Sequence, residues 1–185
     1  MTDLSRRQFL AASGAAAAAV WIAAEARDLL AAGMHAAQAT RFEVLSPADA
    51  ADLEAATAQI IPTDATPGAR EARVVYFIDK SLGTFAKEQK PAFEKAAKEL
   101  RARAAKTKAG AKSFAELSSS QQIAVLTSLE KDKPDLFGPI RFATMAGMLA
   151  NPEYGGNYNK TGWKMIGFVD QFSWSAPFGW YDQHA

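Results

Sequence analysis

An all-α fold is what this sequence predicts: a small helical bundle followed by an irregular, aromatic-rich C-terminal segment. Three observations carry the prediction. Apolar residues recur at three- and four-residue spacing through most of the chain after Leu45. Helix start and stop signals at Ser46-Pro47, Pro62, Pro91, Ser118-Ser119-Ser120-Gln121, Lys133-Pro134 and Asn151-Pro152 cut that pattern into helix-sized pieces. No segment shows sustained strand alternation.

Taken in order, the chain opens on Ser5-Arg6-Arg7-Gln8-Phe9-Leu10, followed by an alanine-rich apolar run from Ala11 to Ala24. Charge before a weakly apolar run, then small-x-small patterns at Ala24-Glu25-Ala26 and Ala37-Gln38-Ala39, is the layout of a cleavable export signal. The run is too short and too alanine-rich for a membrane span, which needs ~20 strongly apolar residues. Arg6 and Arg7 with Phe9 and Leu10 resemble a twin-arginine signal, an address read by the twin-arginine translocase rather than part of the fold. A soluble amphipathic helix with a chance arginine pair is the competing reading, because alanine favours helix. Residues 1–39 are therefore expected to be the signal, cleaved or retained as an anchor, and residues 40–185 the helical domain. That pathway moves proteins already folded, often with cofactors inserted, which raises the question of what here must fold before export.

Composition narrows the function classes. A chain of 185 residues, less its signal, makes one domain large enough for a real core. Lys and Arg total 21 against 20 Asp and Glu, a balance that argues against nucleic acid as the main partner. The absence of cysteine excludes disulfides, thiolate zinc sites, iron–sulfur clusters and covalent haem attachment by this chain. The two histidines are His35, in the presumed signal, and His184, next to the C-terminus, where solvated terminal residues are the plainer reading.

Ser46-Pro47 opens the first helix, with Ser46 as cap, Pro47 in the first turn and Asp49 favourably placed toward the dipole. Leu53, Ala56 and Ile60 form its apolar stripe, Pro62 stops it, and Asp64-Ala65-Thr66-Pro67-Gly68 reads as a tight loop. A second helix is expected from about Ala69 to Lys87, with Val75, Ile78, Leu82 and Phe85 pointing one way. Pro91 restarts a third, more polar helix carrying Phe93, Ala97, Leu100 and Ala104. From Lys87 to Lys112 nine basic residues face three acidic ones. That surplus reads as a solvated helix face or as a docking surface for an acidic partner or anionic lipid. Ser118 to Gln121 is a capping box, and Ile123, Leu126 and Leu129 continue that helix to Lys133-Pro134. The next helix carries Phe137, Ile140, Met145 and Leu149, with a bend allowed at Gly138-Pro139.

Beyond Asn151-Pro152 the chain changes character. Seven aromatics fall between Trp163 and Tyr181, interrupted by glycines and a proline, so they either wrap the core or present an interface. No nucleophile elbow, phosphate-cradling loop or dinucleotide fingerprint is present, and the acidic residues are scattered, so no catalytic residues are assigned. The densest motif is Asn151-Pro152-Glu153-Tyr154-Gly155-Gly156-Asn157, continued by Gly162-Trp163-Lys164-Met165-Ile166-Gly167-Phe168. Its glycine pair supplies backbone conformations closed to other residues, and Asn157 can bond neighbouring backbone. Tyr154, Trp163 and Ile166 are expected to anchor it to the body. An elaborate turn is the plain reading.

This stretch closely resembles the signature of the small subunit (subunit 3) of membrane-bound gluconate 2-dehydrogenase and related sugar and sugar-acid dehydrogenases. The resemblance extends through Leu45-Ser46-Pro47-Ala48, Ile60 to Ala69 and Phe114-Ala115-Glu116-Leu117-Ser118, covering roughly Phe42 to Phe168. The lysine-rich third helix and the tail after Phe168 depart from the pattern. The resemblance implies a non-catalytic subunit that binds no cofactor itself. Its partner would be an FAD-carrying flavoprotein of the glucose–methanol–choline oxidoreductase type, with a c-type cytochrome subunit carrying haem c and passing electrons on. In that family the small subunit supplies the export signal for both, which answers the question raised by the signal and implies a periplasmic complex held at the cytoplasmic membrane. The loop Tyr154, Gly155, Gly156, Asn157 and the tryptophans Trp163, Trp174 and Trp180 are the expected partner interface. A free-standing periplasmic enzyme and an envelope binding or scaffold protein are the competing readings, the first disfavoured by the poverty in histidine and cysteine.

Overall fold

The computed structural model describes residues 42–171 and 173. The signal residues Arg6, Arg7, Phe9 and Leu10, both histidines, and Trp174 and Trp180 lie outside them. Among the described residues there are six α-helices and no strand: α1 (Pro47–Ile60), α2 (Val74–Gly83), α3 (Lys90–Thr107), α4 (Ser119–Asp132), α5 (Pro134–Leu149) and the short α6 (Thr161–Met165).

Local chemistry sets most helix ends where the sequence puts them. The Ser46 hydroxyl accepts the Asp49 N–H at 3.1 Å, with Pro47 in the first turn. At α4 the capping box is complete: the Ser118 hydroxyl accepts the Gln121 N–H, and the Gln121 side chain accepts the Ser118 N–H at 3.0 Å. The loop after α1 turns on Asp64, whose carboxylate takes the Thr66 N–H at 2.8 Å. Helix α5 runs unbroken through Gly138-Pro139.

The centre of the bundle is α5, which touches α1, α2, α3 and α4. Phe137, Ile140, Ala143 and Met148 on it meet Leu53 and Ala56 from α1, Val74 and Ile78 from α2, Phe93 and Leu100 from α3 and Leu129 from α4 in one core. Two buried carboxylates tie the non-helical segments to this core. Asp79 of α2 accepts the N–H groups of Glu43, Val44 and Leu45 at 2.8 to 2.9 Å, holding the chain that leads into α1. Asp52 of α1, fully buried, accepts from the Arg101 guanidinium at 2.9 Å, the Ser113 hydroxyl at 2.6 Å and the Phe114 N–H at 2.7 Å. A buried charge so paired and hydrogen-bonded is tolerated where an unpaired one is not.

Four expectations are corrected. The second helix is shorter than predicted at both ends, Val74–Gly83 instead of Ala69 to Lys87. Ala69 is held to Ile61 by a backbone hydrogen bond of 2.9 Å, and the turn that follows ends at Arg73 with φ +53°, which helical propagation cannot cross. Thr84 breaks the other end with φ −124° and ψ −94°. Phe85 consequently leaves the apolar stripe and stands 59% exposed. Ile123, Met145 and Leu149 are exposed too, because they fall outside the face that Leu126 and Leu129, or Phe137 and Ile140, bury. Finally, the basic third helix is not simply a solvated face: Arg101 pairs with Asp49 and Asp52, and Arg103 with Glu99 and Asp132.

Candidate functional site

The last turn of α5 leaves carbonyls with no intrahelical partner, as every helix does. The glycine-rich motif is the device that satisfies them. Asn157, with none of its surface exposed, sits at the node. Its backbone N–H donates to Gly147 O at 2.7 Å and its side-chain Nδ2 to Ala150 O at 2.9 Å. Its Oδ1 accepts the Gly162 N–H at 2.8 Å, which folds the chain back so that the Trp163 indole Nε1 reaches Leu149 O at 2.7 Å. Phe168 then lies against the Trp163 ring, centroids 5.0 Å apart. One asparagine and one tryptophan thus close the C-terminal end of the central helix.

The glycine pair serves the same contact. Gly155 has φ +95°, and a β-carbon there would lie 2.9 Å from the Tyr76 carbonyl oxygen. On Gly156 a β-carbon would be driven into the Gly147 carbonyl oxygen. Both glycines therefore let the loop lie against α2 and α5 of this chain itself. Gly156 and Asn157 are buried in the fold, Trp163 is half-buried with its N–H turned inward, and only Tyr154 of the loop residues shows a large side chain to solvent. Ile166 does not anchor the motif; it is exposed, and Phe168 occupies the place beside Trp163.

What the motif displays is an aromatic shelf against α2. Tyr154 meets Phe85 edge-on at 5.7 Å, and Phe85 leans on Phe77 of the core at 6.2 Å. Tyr158, its N–H donated to Ala72 O at 3.1 Å, lies under the Arg73 guanidinium, whose carbon is 3.7 Å from the ring centroid. Phe42 stacks on Tyr76 at 4.9 Å. Lys80 reaches across from α2 to the Glu153 carbonyl. Sequence reading missed Phe85, Arg73 and Tyr158. Tyr158 stands four residues from Tyr154, a visible signal, but the approach of Arg73 spans more than eighty residues of chain and had none.

A second exposed apolar surface runs along α5 itself, where Phe142 (67% exposed), Met145 and Leu149 share one stripe. A surface depression of about 400 Å³ lies between α3 and α4, where Arg103 already pairs with Glu99 and Asp132. Lys133 and Arg103 hold the Glu99 carboxylate below its ordinary pKa. Among the described residues no group of three or more His, Cys, Asp or Glu is placed to hold a metal ion, and no helix is long and apolar enough to cross a membrane.

Two family models match the chain. One, described as gluconate 2-dehydrogenase subunit 3, covers residues 47–170, close to the extent read from the motifs; the other, a twin-arginine translocation pathway signal sequence, covers residues 3–20. No curated protein and no solved structure matches.

Proposed function

Since this chain belongs to the gluconate 2-dehydrogenase subunit 3 family and carries a twin-arginine export signal, we propose that it is the non-catalytic small subunit of an FAD-dependent sugar, sugar-alcohol or sugar-acid dehydrogenase. In this reading it binds the flavoprotein subunit, of glucose–methanol–choline oxidoreductase type, in the cytoplasm, escorts it through the translocase and stabilises it in the periplasm. A c-type cytochrome subunit takes the electrons and the complex attaches the pair to the cytoplasmic membrane. FAD and haem c belong to those partners; this chain binds neither.

The observation that carries the reading is the union, in one chain, of a family domain over residues 47–170 with a signal of the class that exports folded proteins. The surface supports it as well. Aromatic and arginine side chains dominate binding energy at protein interfaces, and here two such pairs, Tyr154 with Phe85 and Tyr158 with Arg73, flank α2. Gly155, Gly156, Asn157 and Trp163 hold the motif in place. Trp174 and Trp180, outside the described residues, are the further contacts of this proposal.

Replacing Arg6 and Arg7 together by lysine tests the escort. Dehydrogenase activity and flavoprotein antigen should both move from the periplasmic and membrane fractions to the cytoplasm. Normal export of the flavoprotein, with only this chain retained, defeats the proposal. An envelope scaffold acting alone is the second reading; it predicts that the tagged full chain, captured from its native host, brings down no protein with stoichiometric flavin absorbance.

A further inference from the structure

All four described non-glycine residues with positive φ belong to two segments that meet in space: Arg73 on one side, and Asn157, Asn159 and Lys160 on the other. Such backbone persists only where its surroundings over-determine it, and it gathers at functional sites. Asn157 is explained by the helix cap it makes. Arg73 ends the hydrogen-bonded turn that precedes α2, and its side chain lies over a ring that is itself 46% exposed. The backbone on both sides is pinned: Arg73 N–H donates to Arg70 O at 3.0 Å, Tyr76 N–H to Arg73 O at 3.0 Å, and Tyr158 N–H to Ala72 O at 3.1 Å. The result is a guanidinium whose carbon stands 3.7 Å from the centroid of a phenol ring.

The charge around it is equally particular. Of the arginines among the described residues, Arg70, Arg101, Arg103 and Arg141 each have a carboxylate within salt-bridge distance, and Arg73 has none. Lys80 and Lys160 stand in the two segments that meet there, the first bound to a backbone carbonyl and the second paired with Asp170. A stacked guanidinium keeps its N–H edge free while its face is covered, and that edge matches a carboxylate in two-point geometry.

We propose that Arg73, held over Tyr158, is a receptor for an acidic side chain on the surface of the flavoprotein subunit, with the exposed Tyr158 ring as the apolar part of the contact. This rests on the escort reading and adds to it the chemistry of the partner's surface. Charge complementarity selects that occupant: a cation with no carboxylate partner of its own fits Asp or Glu, and the half-exposed Tyr158 ring beneath it fits a protein surface.

The test uses the tagged full chain and the flavoprotein it captures, identified by flavin absorbance, with the dissociation constant measured at low and high ionic strength. Arg73→Asn is the informative variant, because asparagine tolerates positive φ and keeps the turn. It should weaken binding at least tenfold, flatten the salt dependence, and leave circular dichroism and thermal midpoint unchanged. Arg73→Lys should recover only part of the affinity, since an ammonium lacks the planar fork, and Tyr158→Ala should resemble Arg73→Asn. Wild-type affinity and salt dependence in Arg73→Asn and Tyr158→Ala overturn the receptor and leave the escort standing. Full recovery by Arg73→Lys overturns the stacked two-point geometry in favour of simple charge attraction. If the wild-type chain captures no flavin-bearing protein at all, the escort reading fails and the receptor with it.

Discussion

Asn157 carries more of the structure than any other polar residue of the motif. Three hydrogen bonds from one buried residue satisfy Gly147 O and Ala150 O and hold the Gly162 N–H. Asn157→Ala would keep the backbone bond but strand the Ala150 carbonyl and the Gly162 amide, and would place a less tolerant residue at φ +46°. The expected cost is about 3 kcal/mol in urea unfolding. Gly156→Ala should be at least as damaging, because its β-carbon meets backbone rather than a side chain that can move. Tyr154→Ala, on an exposed ring, should change stability by about 0.5 kcal/mol or less. A Tyr154 variant as unstable as the Asn157 variant would mean that the shelf is core and not display.

Between elements, α3 and α4 are joined by charge as much as by apolar contact. Glu99 takes the Lys133 ammonium at 2.9 Å and the Arg103 Nε at 2.9 Å, and Arg103 continues to Asp132. The Lys133 hydrogen bond first, then that of Arg103, lowers the Glu99 pKa. A carboxylate whose folded pKa is depressed contributes stability that is complete above its unfolded value, about pH 4, and that fades as pH falls through the folded value. Lys133 is well exposed, so solvent screening limits the contribution to about 1 kcal/mol. Glu99→Gln should therefore lower the urea midpoint at pH 7 and leave it nearly unchanged at pH 2, measured on the same preparation. Equal losses at both pH values would assign the effect to packing instead of charge.

As a whole, the molecule places its central helix where four others cover it and still leaves Phe142, Met145 and Leu149 outside. Large apolar side chains in a stripe on a free surface favour self-association. Purified without its partner, the chain should be sparingly soluble, and Phe142→Gln with Met145→Gln should raise its solubility limit severalfold. Because glutamine is a good helix former and neither side chain is buried, the thermal midpoint should move by only a few degrees. Solubility unchanged by the double variant would remove the α5 stripe as its cause. The same preparation should carry no flavin or haem absorbance and reduce no dye with gluconate or glucose; stoichiometric flavin in it would contradict the accessory role.

Local chemistry was legible without coordinates. Ser46, Ser118 and the prolines at helix boundaries act on their own neighbours within four residues, so the starts of α1, α4 and α5 and the core positions of α3 follow from spacing alone. The motif from Asn151 to Phe168 could likewise be picked out as special, and its family read from it. Its purpose could not. Whether a glycine pair admits a partner's backbone or its own depends on what lies opposite, and Gly147 and Tyr76 come there only when α5 and α2 pack. Periodicity says that a helix has an apolar face but not how many faces its neighbours cover, which is why Ile123, Met145 and Leu149 turned out exposed. Arg73 and Tyr158 stand more than eighty residues apart in the sequence, and only tertiary packing, through the hydrogen bond from Tyr158 to Ala72, brings that guanidinium over that ring.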